Sequence, residues 1–276
     1  MDVMGDKATL LDTGRFVQPS DRDETGEAAE EARQRPAAEA GDVEAMSVLG
    51  AMLLRRGDLD GAEPQWRAAT AAGDRAAANN LGVLLHQRGY TDEAAGWWRI
   101  AAVAGSAAAA HALGRYHRER GDEPAAEYWL RQSAEQGHAL GAYALADLLE
   151  HRSDVGAEQW MRAAAERGHR EAAYRLARTL DRKAADAGEG RGDNGVIGVI
   201  GAAGEEAEQW YRQAAARGHR RAALHLGAIL EKRGHLKEAG RWYLTSAKDG
   251  EARAACALGF LLRDAGDTES AARSHH

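Results

Sequence analysis

At 276 residues with 44% hydrophobic content, one cysteine and a formal charge of -7, the chain can bury a substantial core but can form no intrachain disulfide and no cysteine-built zinc site. Much of the apolar content is alanine and there are only two Phe, a composition that favours helix over sheet. Ten acidic and five basic residues fall within the first 40 positions, so the rest is nearly neutral and offers no broad field for nucleic acid; no apolar run approaches the roughly 18 residues of a membrane span.

Residues 1–36 are acidic and interrupted by Pro19 and Pro36, which predicts a largely disordered segment. Within it, Ala8 to Val17 is less polar and could dock in a groove of this chain or of another. The first residues carry neither the basic patch nor the apolar stretch of a secretory signal. Gly5 to Thr9 fits the letters of a myristoylation site but does not follow the first Met. Together with the lone Cys256 these features give a cytoplasmic expectation, and the 31 Arg against 5 Lys point to a GC-rich bacterial source.

From residue 37 onward the chain repeats. Gly41, Gly73, Gly105 and Gly137 stand 32 apart, Gly168 follows after 31, Gly218 after 50 and Gly250 after 32. Each glycine precedes a residue suited to cap a helix, namely Asp42, Asp74, Ser106, His138, His169, His219 or Glu251, and then an alanine-rich segment. A second glycine (Gly57, Gly89, Gly121, Gly234, Gly266) is placed to close that helix, helix A, before a second, helix B. Helix A carries Leu49, Leu81, Leu113, Leu145, Leu176, Leu226 or Leu258, always followed by Gly or Ala. Helix B carries all seven tryptophans, each seven or eight residues before the next marker glycine. The spacing predicts seven helix hairpins whose faces are buried by stacking on neighbours.

Two places interrupt the pattern. The fifth unit is longer by 18 residues, and residues 183–204, which include seven glycines, read as a mobile loop insertion. Its GEGRGDNG string lacks the strand and the Lys-Ser or Lys-Thr of a phosphate loop. Its apolar Val196 to Ile200 either packs back on the repeats or offers a contact. At the C-terminal end, helix B of the seventh unit shrinks to about Thr268 to Ser274 and has no tryptophan.

Trp210 to Gly218 (WYRQAAARG) followed by HRRAALHLGAILEKRG, and Trp160 to Gly168 (WMRAAAERG) followed by HREAAYRLA, resemble Sel-one-like repeats, while the 32-residue period is nearer that of a tetratricopeptide repeat. The resemblance covers residues 37–276. It implies an all-α, right-handed superhelical solenoid of about seven antiparallel helix-hairpin repeats whose concave groove takes a protein or peptide. Cysteine-rich relatives for which hydrolase activity is proposed pair a cysteine in each hairpin, and no such pairs occur here.

No zinc-protease, paired CxxC, calcium-loop or nucleophile-elbow motif is present. His138, His169 and His219 occupy one corner of successive units, a whole repeat apart, too far to converge on one metal ion. No catalytic, cofactor or metal residue is assigned. The groove side of helix A is projected to hold Asn79, Val83, His86 and Gln87 in the second unit and His111, Arg115 and Arg118 in the third. Tyr143, Asp147, Glu150, Tyr174 and Arg178 follow in the fourth and fifth. These positions vary between units while the core repeats, as an extended site for a non-repeating peptide requires and as a merely solvated face also shows. The expectation is a non-enzymatic scaffold or adaptor that binds a protein or peptide, but no nucleic acid and no membrane, its oligomeric state open. The alternatives are a regulatory or sensor subunit that clamps an enzyme or peptide and, more remotely, a hydrolase.

Overall fold

The computed structural model describes the backbone of residues 24–189 and 194–274, and side chains within residues 26–186 and 203–266. Fourteen helices and no strand occur among the described residues. The chain divides into two compact units, Met1–Leu148 and Leu149–His276.

The first unit contains α1 (Glu24–Glu39), α2 (Val43–Arg55), α3 (Leu59–Ala71), α4 (Arg75–Gln87), α5 (Thr91–Val103), α6 (Ala107–Glu119) and α7 (Glu123–Glu135). From α1 to α7 each helix packs on the next. Helix α8 (Ala139–His151) spans the division between the units. The second unit continues with α9 (Ala157–Glu166), α10 (Arg170–Glu189), α11 (Asn194–Ala216), α12 (Arg220–Lys232), α13 (Leu236–Lys248) and α14 (Ala252–Ser274), again packed in sequence.

The corners form as their sequence requires. At Gly73, φ is +94°, a left-handed conformation that a side chain disfavours. It lets Gly73 N–H donate to Thr70 C=O at 2.9 Å and Asp74 N–H to Ala69 C=O at 3.1 Å, closing the carbonyl end of α3. Asp74 then turns outward to cap α4, accepting from Ala76 N–H at 2.9 Å. Where the fourth hairpin has no corner glycine, Ser153 takes the left-handed conformation instead, at φ 56°. An arginine pins this kind of corner from the preceding A helix: the Arg75 guanidinium, at the start of α4, donates to Ala104 C=O at 3.3 Å, at the negative end of α5.

Between the two helices of a hairpin, the small residue after the marker leucine receives a large side chain. A β-carbon on Gly50 or Gly82 would lie 2.5 Å from the ring of Trp66 or Trp98, and one on Gly114 or Gly227 would lie 2.6 Å from Leu130 or Tyr243. All of these large side chains are buried, as are Leu49, Leu81, Leu113, Leu145, Leu176 and Leu226. The tryptophans therefore fall into two sets. Trp66 and Trp98 lie seven residues before the marker glycine and sit on the glycine of the facing helix. Trp97, Trp129, Trp160, Trp210 and Trp242 lie eight before it, and all of these but Trp210 are only half-buried.

One expectation is narrowed and two are corrected. Of the segment before residue 37, expected to be largely disordered, residues 24–36 belong to α1, which packs on α2 with Ala38 buried. Pro36 lies in its last turn, where it removes a single hydrogen bond rather than breaking the helix. Residues 1–23, with the Ala8 to Val17 stretch, lie outside the described residues. The 183–204 insertion is not one loop: α10 runs on to Glu189 and α11 starts at Asn194, since alanine and glutamate on either side of the glycines favour helix. How the Val196 to Ile200 side chains pack lies outside the described residues. Finally, the seventh unit is not a hairpin, for α14 continues straight through Gly266 to Ser274. Thr268 to Ser274 holds no large apolar residue to bury by folding back, whereas an unbroken helix keeps its backbone hydrogen bonds.

Replacing Trp66 by Ala is expected to cost about 3–5 kcal/mol in urea unfolding, and Trp160 to Ala, at a half-buried site, clearly less. Gly82→Ala should destabilise by about 1–3 kcal/mol through overpacking against Trp98. Gly96→Ala, in the middle of α5 with open space around it, should stabilise by about 1 kcal/mol.

Candidate functional site

The projected groove residues divide by position along helix A. Two residues before the marker leucine, the side chain turns toward the cap of the next repeat. Ser47 Oγ donates to the Asp74 carboxylate, His111 lies with its ring 5.3 Å from that of His138, and Tyr174 stacks on His219 at 4.2 Å. Asn79, His111 and Tyr174 are buried, and His111 and Tyr174 stitch repeats together rather than line an open surface. Val83 is buried as well.

The positions further along helix A do reach solvent. In the first unit His86, Gln87 and Arg118 are exposed, and Arg115 and Asp147 are half-buried; Tyr143, two residues before Leu145, is half-buried where its counterparts Asn79, His111 and Tyr174 are buried. The His86 ring lies 5.6 Å from that of Trp98. Arg118 spans from α6 to α8 and pairs with Asp147 at 2.7 Å, and Arg115 lies 3.9 Å from Glu119. Of the projected residues in the second unit, Glu150 and Arg178 are exposed. Glu150 pairs with Arg175, and the Arg178 guanidinium lies 5.9 Å from the Tyr174 ring centroid.

The second unit also gathers a polar aromatic cluster that the periodicity did not reveal. His219 Nδ1 accepts from Ala222 N–H at 3.1 Å as the N-cap of α12. Its neutral form therefore carries the proton on Nε2, which donates to Glu171 at 2.8 Å. His138 and His169 accept from Gly141 and Ala172 N–H in the same way, each at 3.1 Å. The three corner histidines are thus caps, as their place after a glycine suggested. Tyr211 stacks on His225 at 5.2 Å, and the Tyr174 hydroxyl lies 3.4 Å from His225 Nε2.

The electrostatics of this cluster follow from burial and its neighbours. Burial, reinforced by Arg178 and His219 and opposed by Asp181 and Glu251, holds His225 below the ordinary histidine range. Burial, with Asp181 and Tyr174 adding to it, raises Tyr211 above the usual tyrosine range. The hydrogen bond from His219 lowers Glu171. No group of three or more His, Cys, Asp or Glu among the described residues could hold a metal ion, and no described helix is long and apolar enough to cross a membrane. A crevice in the first unit is lined by Gly57 to Asp60, Arg88 and Tyr90. It is open and polar, and its Arg88 is already paired with Asp60 and Glu63.

No family model and no curated protein matches the chain. Solved structures do. A protective antigen present in uropathogenic Escherichia coli strains, displaying an SLR fold, aligns at 25% identity and TM-score 0.60 over 85% of this chain and 52% of its own. This chain thus spans about half the length of that antigen. A Sel1 repeat protein from Oxalobacter formigenes aligns at 20% identity and TM-score 0.47, over 95% of this chain and 89% of its own. The C-terminal part of a TPR repeat-containing protein from Cytophaga hutchinsonii aligns at 12% identity and TM-score 0.49, over 83% and 99%.

The depressed His225 makes stability pH-dependent in a defined direction. Its folded pKa lies below the unfolded value of about 6.5, so its contribution is complete above that value and is lost as pH falls through the folded pKa. Glu171, lowered from the carboxylate range, loses its contribution only at more acidic pH. Urea midpoints measured from about pH 8 to about pH 5 should therefore decline for the wild type, and His225→Gln should flatten that decline.

Proposed function

From the premise that the chain is a Sel1-like, tetratricopeptide-like helical-repeat protein, we propose that it is a non-enzymatic, cytoplasmic scaffold or adaptor. On this reading, solvent-facing residues of its A helices hold an extended segment or helix of a partner protein. Support comes from a contrast within the first unit. Residues that pack the hairpins recur from repeat to repeat, whereas the exposed or half-buried His86, Gln87, Arg115 and Arg118 differ. A uniform surface would bind a uniform partner; this one suits a segment whose side chains change along its length.

The chemistry of that surface favours a mixed, partly acidic segment. Arg118 is bonded to Asp147 across helices, so an incoming carboxylate exchanges one charged partner for another instead of meeting a bare cation. Arginine offers a planar fork of donors for such an exchange. Half-buried Tyr143, on the same run of helices, adds an apolar body with a polar tip of the kind that anchors interfaces.

Affinity capture from the source organism, comparing wild type with Arg115→Ala plus Arg118→Ala, tests the reading. The double variant should retain the wild-type helical circular dichroism and weaken its specific partner by about tenfold or more, as expected for a lost charged hydrogen bond of about 1.5–3 kcal/mol. An unchanged set of partners at unchanged affinity would remove this face from consideration.

A further inference from the structure

Neighbouring cations on this protein commonly share a carboxylate. Glu31 takes Arg35 and Arg56, Glu63 takes Arg67 and Arg88, Glu158 takes Arg162 and Lys183, and Glu208 takes Arg212 and Arg233. The corners before α10 and α12 depart from this habit. Each reads Arg-Gly-His-Arg, at 167–170 and 217–220, a string that stands at no other corner, and all four arginines are exposed. Arg217 reaches across until its Nε and Nη2 lie 3.6 and 3.8 Å from where a β-carbon on Gly168 would stand, and Nη1 of Arg170 comes within 3.9 Å of the same point on Gly218. Two guanidinium groups thus lie between the same two corners. Neither has an acidic partner among the described residues. The nearby carboxylate of Glu171 is taken by His219, and Glu251 lies 4.0 Å from Arg220.

The fold explains only part of this arrangement. Arg170 stands where Arg75 stands in its own repeat, and Arg75 bonds the carbonyl end of a helix at the next corner. The position of Arg167 and Arg217 is different. Ala40, Ala72, Ala104, Gln136 and Asp249 occupy it at other corners, whose glycines take the same positive φ, so the turn does not need a cation there. Arg217 donates only through Nη1, to the Gln213 carbonyl at 3.5 Å and its side-chain oxygen at 3.3 Å. Its Nε and Nη2 make no bond. Like charges held together without a counter-charge cost the folded chain energy, and an arriving anion removes that cost.

We propose that the paired corners before α10 and α12 are a docking point for an acidic segment of a partner protein, Arg170 and Arg217 closing on one of its carboxylates in the field of Arg167 and Arg220. The incoming group takes the place that Glu31, Glu63, Glu158 and Glu208 fill elsewhere, and the planar arginine fork suits it. A carboxylate fits better than a nucleic-acid strand. Strands bind by neutralising many phosphates in a row, whereas this basic group spans two corners and gives way to Asp249 and Glu251 at the third, in a chain of formal charge -7. The site lies in the second unit and uses none of the A-helix residues proposed above for the first, so each is tested without the other.

Fluorescence anisotropy of labelled hexaglutamate, titrated with the full chain at low ionic strength, tests this. The wild type should bind hexaglutamate and leave labelled hexaglutamine free. Arg217→Gln, at a side chain bonded only to Gln213, should weaken binding by about tenfold or more, and Arg170→Gln plus Arg217→Gln should weaken it further. Both sites are exposed, so helical circular dichroism should be retained. Arg99→Gln removes one exposed arginine from α5 and changes the net charge as much as Arg217→Gln does, yet should leave affinity unchanged. A wild type that ignores hexaglutamate, or binds hexaglutamine equally, overturns the proposal. So does binding indifferent to the corner variants, or weakened as much by Arg99→Gln. Equal or tighter binding of labelled six-nucleotide oligothymidylate also overturns it, by making the corners a phosphate site.

Discussion

The seating of one large side chain on one glycine sets the distance between the helices of a hairpin, and the rest of the architecture follows from that distance. With Trp66 over Gly50 or Tyr243 over Gly227, the two backbones approach closely enough for alanines such as Ala62, Ala94, Ala126 and Ala239 to be wholly buried. An alanine-rich chain cannot fill wide gaps. It gains a dense interior only where its helices are drawn close, and the glycine permits this at a point where a ring supplies the apolar area. The leucine just before the glycine then packs where it can touch both partners.

Coupling between repeats uses different chemistry. At Asp74, His138 and His219 the corner residue that caps a helix also receives a side chain from the preceding A helix, so these caps belong to two repeats at once. Asp74 accepts from Ser47 while holding α4, and His219 is stacked on by Tyr174 while holding α12. Around the outside, charged pairs such as Arg67 with Glu93 and Arg212 with Glu238 bridge successive B helices. Exposed pairs of this kind contribute little singly. The caps and the buried stacking faces carry most of the inter-repeat adhesion.

Much of this was written in the chain itself. Every marker glycine from Gly41 to Gly250 takes a positive φ, and the leucine series marks the buried face, because these positions answer to local geometry that recurs. Less legible were residues whose partners lie in a neighbouring repeat. His111 and Tyr174 lie on the side of helix A that projection assigns to a groove, yet the next repeat's cap packs against them, and that offset comes from stacking rather than from the helix. The tryptophans misled in a related way: shifting by one residue from Trp98 to Trp97 exchanges a seat inside the hairpin for a half-buried place outside it. Glycine-rich composition hid the continuation of α10 and α11, and Gly266 was read as a turn that α14 does not make.

The long fifth repeat has a consequence for how the chain finds its fold. Inter-repeat side-chain bonds in the first unit join residues 24 to 29 positions apart. Those across the insertion join residues 44 to 51 apart. Closing a loop nearly twice as long adds about 0.6 kcal/mol of entropy cost per contact nucleus, and rates fall as contacts become less local. During synthesis the hairpins of the first unit can dock as soon as each emerges. The bonds from α9 to α11 and from α10 to α12 must instead wait for the whole insertion, which makes their docking the slower step.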